Sequence, residues 1–379
     1  MSDERIFTNA RIVTPEAVVR GSLRVAGGTI VEVGEGPSRA PGALDLAGDY
    51  LIPGLVEVHT DNLETQFQPR PGVRWPAAAA LLAHDAQMTA AGVTTVCDAV
   101  CVGFYGDKAE RLQLMRVSVE TMRAAHADGR LRAEHLLHLR CEVSDPAVVE
   151  LFEPLRDDPS LRVVSFMDHT PGQRQWRDLA MFRRFNQGRR GYSDERLTRL
   201  IEERQAAQRA HAEVNRRHLL ELVGGRGFAL ASHDDTTPEH VAEAAADGMT
   251  VSEFPTTVEA ARAARGHGLA VVMGAPNVVL GGSHSGNVSA LELAGLGLLD
   301  AMSSDYMPVS LLHAVFVLVE RAGLALPEAL AKVTANPARM IGLDDRGAIR
   351  PGLRADLVRV RAADVPAVLA VWRGGERVA

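Results

Sequence analysis

The residues best suited to chemistry in this sequence are imidazoles and carboxylates at the ends of short apolar runs. Residues 51–61 read LIPGLVEVHTD and deliver His59 and Asp61 two positions apart. In an extended strand, residues i and i+2 point to the same side, so both side chains can grip one cation. Further along, LRCEV carries Glu142, SFMDH ends in Asp168-His169, ASHDD ends in His233-Asp234-Asp235, and AMSSD ends in Asp305. A lone strand-end histidine is more often a hydrogen-bonded structural residue. Nitrogen and oxygen donors on several strand ends instead fit one or two divalent metals held by imidazole and carboxylate.

Such donors act together only if the chain gathers the strand ends. Residues 51–344 alternate β-like runs with helical stretches, the pattern of parallel βα units. Eight strands are expected, at 54–59, 92–100, 135–143, 161–169, 228–235, 249–255, 269–277 and 298–306. Eight is the number that closes a barrel, and barrels of this type gather functional groups at the C-terminal ends of their strands. A helix from Pro76 to before Gly92 has the proline at its start and the glycine past its end. Residues 1–50 and 345–379 carry short alternating runs separated by glycine and proline, the language of antiparallel sheet. Neither end is long enough for a stable core alone, so the two are predicted to pair in one small β-sandwich domain. The longest connection, residues 176–224, is rich in Arg and Glu, with helical spacing after Ser193. It reads as a helical insertion. Either it is a solvated hairpin outside the barrel, or its arginines Arg183, Arg184, Arg189 and Arg190 reach over the site.

Composition narrows the partners. The 41 basic and 48 acidic residues among 379 give a net charge of −7, which argues against a general nucleic-acid binder or a binder of acidic membranes. An anionic substrate would need local positive charge. Three cysteines, Cys97, Cys101 and Cys141, fall in β-like runs and are expected as small core residues in a reducing compartment. The opening MSDERIFTNA lacks the positive charge and apolar stretch of a secretory signal. No run approaches the roughly 18 apolar residues of a membrane span. These features predict a cytoplasmic protein.

PGLVEVH after a small β segment, GVTTV soon after, successive strand-end histidines, a late strand-end aspartate and a closing TANPARMIGL followed by GAIRPGLRADLV resemble the amidohydrolase superfamily of metal-dependent hydrolases. The likeness covers nearly the whole chain and implies a distorted (β/α)8 TIM-type barrel. More narrowly, VEVHTDNLETQFQPRPGVRWP, LLAHDAQMTAAGVTTVCDAV, LRCEV, SFMDHTPGQRQ, ASHDD, GAPNVVLGGSHSGN and SSDYMP resemble the phosphonate-degrading diphosphatase branch of that superfamily. Members of that branch convert α-D-ribose 1-methylphosphonate 5-triphosphate to the 5-phosphate and pyrophosphate.

Carried over residue by residue, the resemblance implies two divalent metals, zinc or manganese, held by His59, Asp61, His169, His233 and Asp305, with Glu142 as the bridging carboxylate. Asp305 would also orient the attacking water and accept its proton. Most superfamily members carry His-x-His on the first strand, where this chain has His59-Thr60-Asp61. The exchange hardens the site and favours manganese or another oxygen-seeking cation. Many members bridge with a carboxylated lysine, and most place the later histidines on strands five and six rather than on four and five, as counted here. Glu142 shares its strand side with His138 and Arg140. The implied substrate is a small, highly anionic sugar phosphonate. Its cationic partners are expected among Arg70, Arg74, Lys108, Arg174 and His284, with Gly281, Gly282 and Gly286 letting backbone N–H groups approach phosphate. Asn62 and Glu64 are expected to orient the ligands. The apolar barrel surface is compatible with a homodimer. Two other readings stand beside this one. A C–N hydrolase of the same superfamily (cyclic amidase, deacetylase or deaminase) would open amides without releasing pyrophosphate, and a catalytically silent scaffold would bind no metal.

Overall fold

The computed structural model describes residues 4–70, 72–103, 108–283 and 286–379; the side chains of 108–110 and 189–190 lie outside that description. Eight parallel strands follow one another in chain order, each bonded to the next. They span Leu55–Thr60, Val93–Val102, Glu134–Glu142, Leu161–Met167, Ala229–His233, Val251–Glu253, Ala270–Gly274 and Ala301–Ser303. All eight expected strands are present, so His169 follows the fourth and His233 ends the fifth. Strands such as VTTVCDAVCV are buried on both faces, as central parallel strands must be.

The ring closes at the mouth, where Thr60 bridges Asp305. Thr60 Oγ1 donates to the Asp305 carbonyl at 2.8 Å, and the backbone N–H of Asp305 reaches the His59 carbonyl at 3.2 Å. Below this, the fully buried Glu57 carboxylate accepts from the N–H of His59 at 2.7 Å and of Ser304 at 2.6 Å. The barrel floor is packed with small apolar side chains, among them Val56, Cys97, Val163, Ala231, Val272 and Ala301. The polar groups therefore occupy the layer above a dry plug.

Both chain ends join in a second sheet of eight strands. Glu4–Val13, Val18–Ala26, Thr29–Glu35, Leu44–Asp45 and Tyr50–Pro53 come from the amino end, and Leu357–Arg361, Ala367–Arg373 and Glu376–Arg377 from the other. The two groups meet where Leu357–Arg361 runs antiparallel to Tyr50–Pro53. This continuous sheet folds over its own core, in which Phe7 meets Trp372 edge-on at 4.9 Å. The run LIPGLVEVH is thus two strands in two sheets. Gly54 marks the handover, because a Cβ there would overlap the Thr94 side chain.

The connection after the fourth strand holds helices Leu179–Arg190 and Asp194–Val223. Asp178 caps the first by accepting from the N–H of Ala180 at 2.8 Å, and Gly191, at φ 64°, ends it. Ser193 caps the second by accepting from Arg196 N–H at 3.3 Å, as its sequence position predicts. Among the described residues, no helix is long and apolar enough to cross a membrane.

Candidate metal centre

His59, His169 and His233 converge above the barrel floor, and each is gripped at Nδ1 by a carboxylate. His59 Nδ1–H donates to Glu253 Oε1 at 2.7 Å, and His233 Nδ1–H donates to Glu253 Oε2 at 2.8 Å. Ser165 Oγ donates to the same carboxylate at 2.9 Å. His169 Nδ1–H donates to Glu142 Oε2 at 2.7 Å. A carboxylate on Nδ1 fixes the ring and turns the Nε2 lone pair toward the cavity, the arrangement in which imidazole binds metal. The charges follow the same geometry. Against the cost of burial, the imidazoles of His59 and His138 hold Glu253 well below the usual carboxylate range. Burial likewise opposes charge on His59 and His169, yet Glu253 and Glu142 pull their pKa values upward.

Asp234 completes a donor set. Its Oδ2 lies 3.5 Å from His233 Nε2 and 3.8 Å from His169 Nε2, and the three ligand atoms fall within 4.8 Å of one another. Two imidazole nitrogens and a carboxylate oxygen, each with a free lone pair at that spacing, fit a divalent ion. Glu142, expected to bridge the metals, instead accepts from His169 Nδ1, from His169 N at 3.2 Å and from Ser144 Oγ at 2.9 Å. Three of its acceptor positions are so engaged while it lines the cavity, and the carboxylate nearest the two imidazole Nε2 atoms is that of Asp234. Asp61 and Asp305 line the same cavity. Burial, and then repulsion from Asp61, raise the Asp305 pKa.

Two signals lay outside the strand-end reading. Glu253 ends the sixth strand in MTVSEFP, a run read only for its β character. Asp234, Phe254 and Asp305 each adopt a positive φ, of 55°, 56° and 55°, at the residue that follows or closely trails a barrel strand. Non-glycine residues there store strain, which clusters at functional sites.

The cavity has a volume of about 1110 Å³, above the roughly 300–1,000 Å³ of common ligand pockets. The insertion forms part of its wall, through Trp176, Phe182, Phe185, Asn186 and Arg204. Arg183 instead bonds Thr198 at 3.0 Å within the insertion, Arg184 is exposed, and the side chains of Arg189 and Arg190 lie outside the described residues.

The expected phosphate partners separate. Arg70 lines the cavity. Arg74 is exposed, bonds Gln113 and is not part of the lining. Arg174 turns behind the fifth strand, donating to the His233 carbonyl at 2.8 Å and to Asp235 Oδ1 at 2.9 Å. Lys108 begins helix Lys108–Ala127 with its side chain outside the described residues, and His284 is outside them altogether. Gly282 lines the cavity, while Gly281 ends helix Ala275–Leu280 at φ 80°. Asn62 and Glu64 bond away from the ligands: Asn62 Nδ2 donates to Gln87 Oε1 at 2.7 Å and to His84 Nδ1 at 3.0 Å, and Glu64 pairs with Arg111 at 2.6 Å.

Comparison with known proteins gives this arrangement its family. Residues 188–378 match the amidohydrolase family. The chain is 46% identical over 376 residues to the alpha-D-ribose 1-methylphosphonate 5-triphosphate diphosphatase of Escherichia coli (strain K12), covering 98% of this chain and 100% of that one. Among solved structures, 5-methylcytosine deaminase from Klebsiella pneumoniae superposes with a TM-score of 0.67 at 17% identity, covering 99% of this chain and 98% of that one. N-acetylglucosamine-6-phosphate deacetylase from Pasteurella multocida gives 0.64 at 15%, covering 99% of each. The two structures share the barrel and its companion sheet. The near-complete match to the diphosphatase goes further, and with it the chain belongs to the amidohydrolase family, in the branch that holds the ribose 1-methylphosphonate 5-triphosphate diphosphatase.

Proposed function

We propose that this chain is a metal-dependent phosphoanhydride hydrolase that converts α-D-ribose 1-methylphosphonate 5-triphosphate to the 5-phosphate and pyrophosphate. The observation that carries the reading is the full-length match to the diphosphatase of that name. The cavity supports it, since its lining combines histidines and carboxylates with Arg70, Arg111 and Arg140 in a chain whose net charge is −7.

The donors divide into His169, His233 and Asp234 for one divalent ion, and His59, Asp61 and Asp305 for a second, zinc or manganese in each case. Bound there, such ions lower the pKa of water and neutralise charge on phosphoryl oxygens. The protein does the rest. Glu253 and Glu142 fix the imidazoles, and the aromatic wall of the insertion screens the reacting groups from bulk water. The Asp305 carboxylate orients the attacking water and accepts its proton as the new P–O bond forms and the phosphoanhydride P–O bond breaks.

Turnover of the ribosyl triphosphate in oxygen-18 water tests the reading. The expected result is pyrophosphate release with one labelled oxygen in the product that carries the attacked phosphorus. Asp305→Asn should keep the ion assigned to His169, His233 and Asp234 and lose about 10²–10⁴-fold in turnover. Hydrolysis of cyclic amides without pyrophosphate release would overturn the proposal.

A further inference from the structure

Arg140 differs from the nearby Arg111 and Arg174 in how little of its charge the protein uses. It lies on the third barrel strand, Glu134–Glu142, two residues before Glu142 and on the same inward side. Its side chain is 13% exposed and lines the cavity together with His59, Asp61, His169, His233 and Asp305. Among the described residues its polar contacts are two. Nε donates to the thioether sulfur of Met167 at 3.3 Å, a weak acceptor, and Nη1 lies 3.8 Å from Asp61 Oδ2, beyond hydrogen-bond distance.

The contrast with its neighbours is one of commitment. Arg111 is bonded to Glu64 at 2.6 Å, and Arg174 to a carboxylate at 2.9 Å and a carbonyl at 2.8 Å. Burying a guanidinium is unfavourable unless its donors find acceptors. Here the Nη groups of a near-buried arginine face an open cavity, beside the donors for metal. A planar fork in that position matches two oxygens of a phosphoryl group.

We infer that Arg140 is a further catalytic residue, donating through its Nη groups to non-bridging oxygens of the phosphoryl group under attack. The inference rests on the triphosphate reading above. It assigns Arg140 the negative charge that builds on those oxygens as water adds and the leaving phosphate departs. No atom of Arg140 is transferred, and its guanidinium stays protonated throughout.

The test uses metal-loaded enzyme, inorganic tripolyphosphate as the binding probe and the ribosyl triphosphate as substrate. Arg140→Gln, of similar length and neutral, should keep wild-type metal content, bind tripolyphosphate at least about 10-fold more weakly and lose about 10²–10³-fold in kcat. Arg140→Lys keeps the charge beside Asp61 without the fork, and should recover part of the binding and less of the kcat. Loss of metal in step with activity in Arg140→Gln would make Arg140 a support for Asp61 and overturn the inference. Wild-type affinity and kcat in either variant would also overturn it, and Arg140→Lys answers that question if Arg140→Gln does not fold. A wild-type enzyme that binds no tripolyphosphate and releases no pyrophosphate would instead remove the triphosphate reading, a result seen without any variant.

Discussion

Two clusters of histidine and carboxylate sit within the barrel wall, built from the same residue types and put to opposite uses. At the mouth, His169, His233 and Asp234 bring their ligand atoms within 4.8 Å of one another. Behind the wall, His84, Asp98 and His135 do the same, all fully buried. The difference lies in the second ring nitrogen. In the mouth cluster one nitrogen of each ring is bonded to a carboxylate and the other faces the cavity. In the wall cluster both are taken. His84 Nε2–H donates to Asp98 Oδ1 at 2.7 Å while its Nδ1 accepts from Asn62. His135 donates to Asp98 Oδ2 at 2.7 Å and to Asp85 Oδ1 at 3.3 Å. Burial opposes charge on His135, but Asp98 and Asp85 push its pKa up to about 9, so it is a cation at neutral pH. The first cluster keeps lone pairs for a ligand. The second is a closed network that ties the second barrel strand to the third, and both to the helix that carries His84 and Asp85.

Three experiments press on that contrast. The largest effect is expected at the mouth: His233→Asn should lose bound metal and about 10³-fold or more in turnover, since a divalent ion supplies several kcal/mol to such reactions. Metal analysis and steady-state kinetics read it, and retained metal with normal turnover would erase the distinction. In the wall, Asp98→Asn leaves His135 without its main counter-charge. It should destabilise the fold by about 3–5 kcal/mol in urea titration, while the folded fraction still binds metal. A variant as stable as wild type would show that the wall cluster is not structural.

The smallest effect is in pH. The folded-state pKa of His135 lies above its ordinary value of 6.5, so its contribution to stability is complete below about pH 6.5 and is lost as pH rises through about 9. The unfolding free energy of the wild type from urea titration should therefore decline across that window by up to about 3 kcal/mol, and less steeply in Asp98→Asn. Parallel slopes in the two proteins would place the proton elsewhere.

Much of the site was legible because strand ends are local. An apolar run followed by His59-Thr60-Asp61, Asp168-His169 or His233-Asp234-Asp235 marks a donor at a barrel mouth without knowledge of its neighbours. The eight barrel strands were legible for the same reason. Asp234, quoted at its strand end without a role, is the carboxylate the fold brings beside two imidazoles, and the donors to Glu142, Ser144 and two atoms of His169, likewise come together only in the fold. Glu253 escaped notice although it ends a strand, because its partners His59 and His233 are 194 and 20 residues away. The wall cluster joins His84 and Asp98, from the run LLAHDAQMTAAGVTTVCDAV, to His135 of the next strand, a partner that the run itself does not reveal.

For this protein, residue order alone determined the number of barrel strands, the pairing of the two chain ends and the identity of most ligand-type side chains, since periodicity and turn residues act over a few positions. Only the tertiary structure decided which histidines keep a lone pair, which carboxylate joins them and which arginines line the cavity. Each of those depends on hydrogen bonds between distant strands. A donor's chemistry is set by the partners that remain after the fold has engaged the rest.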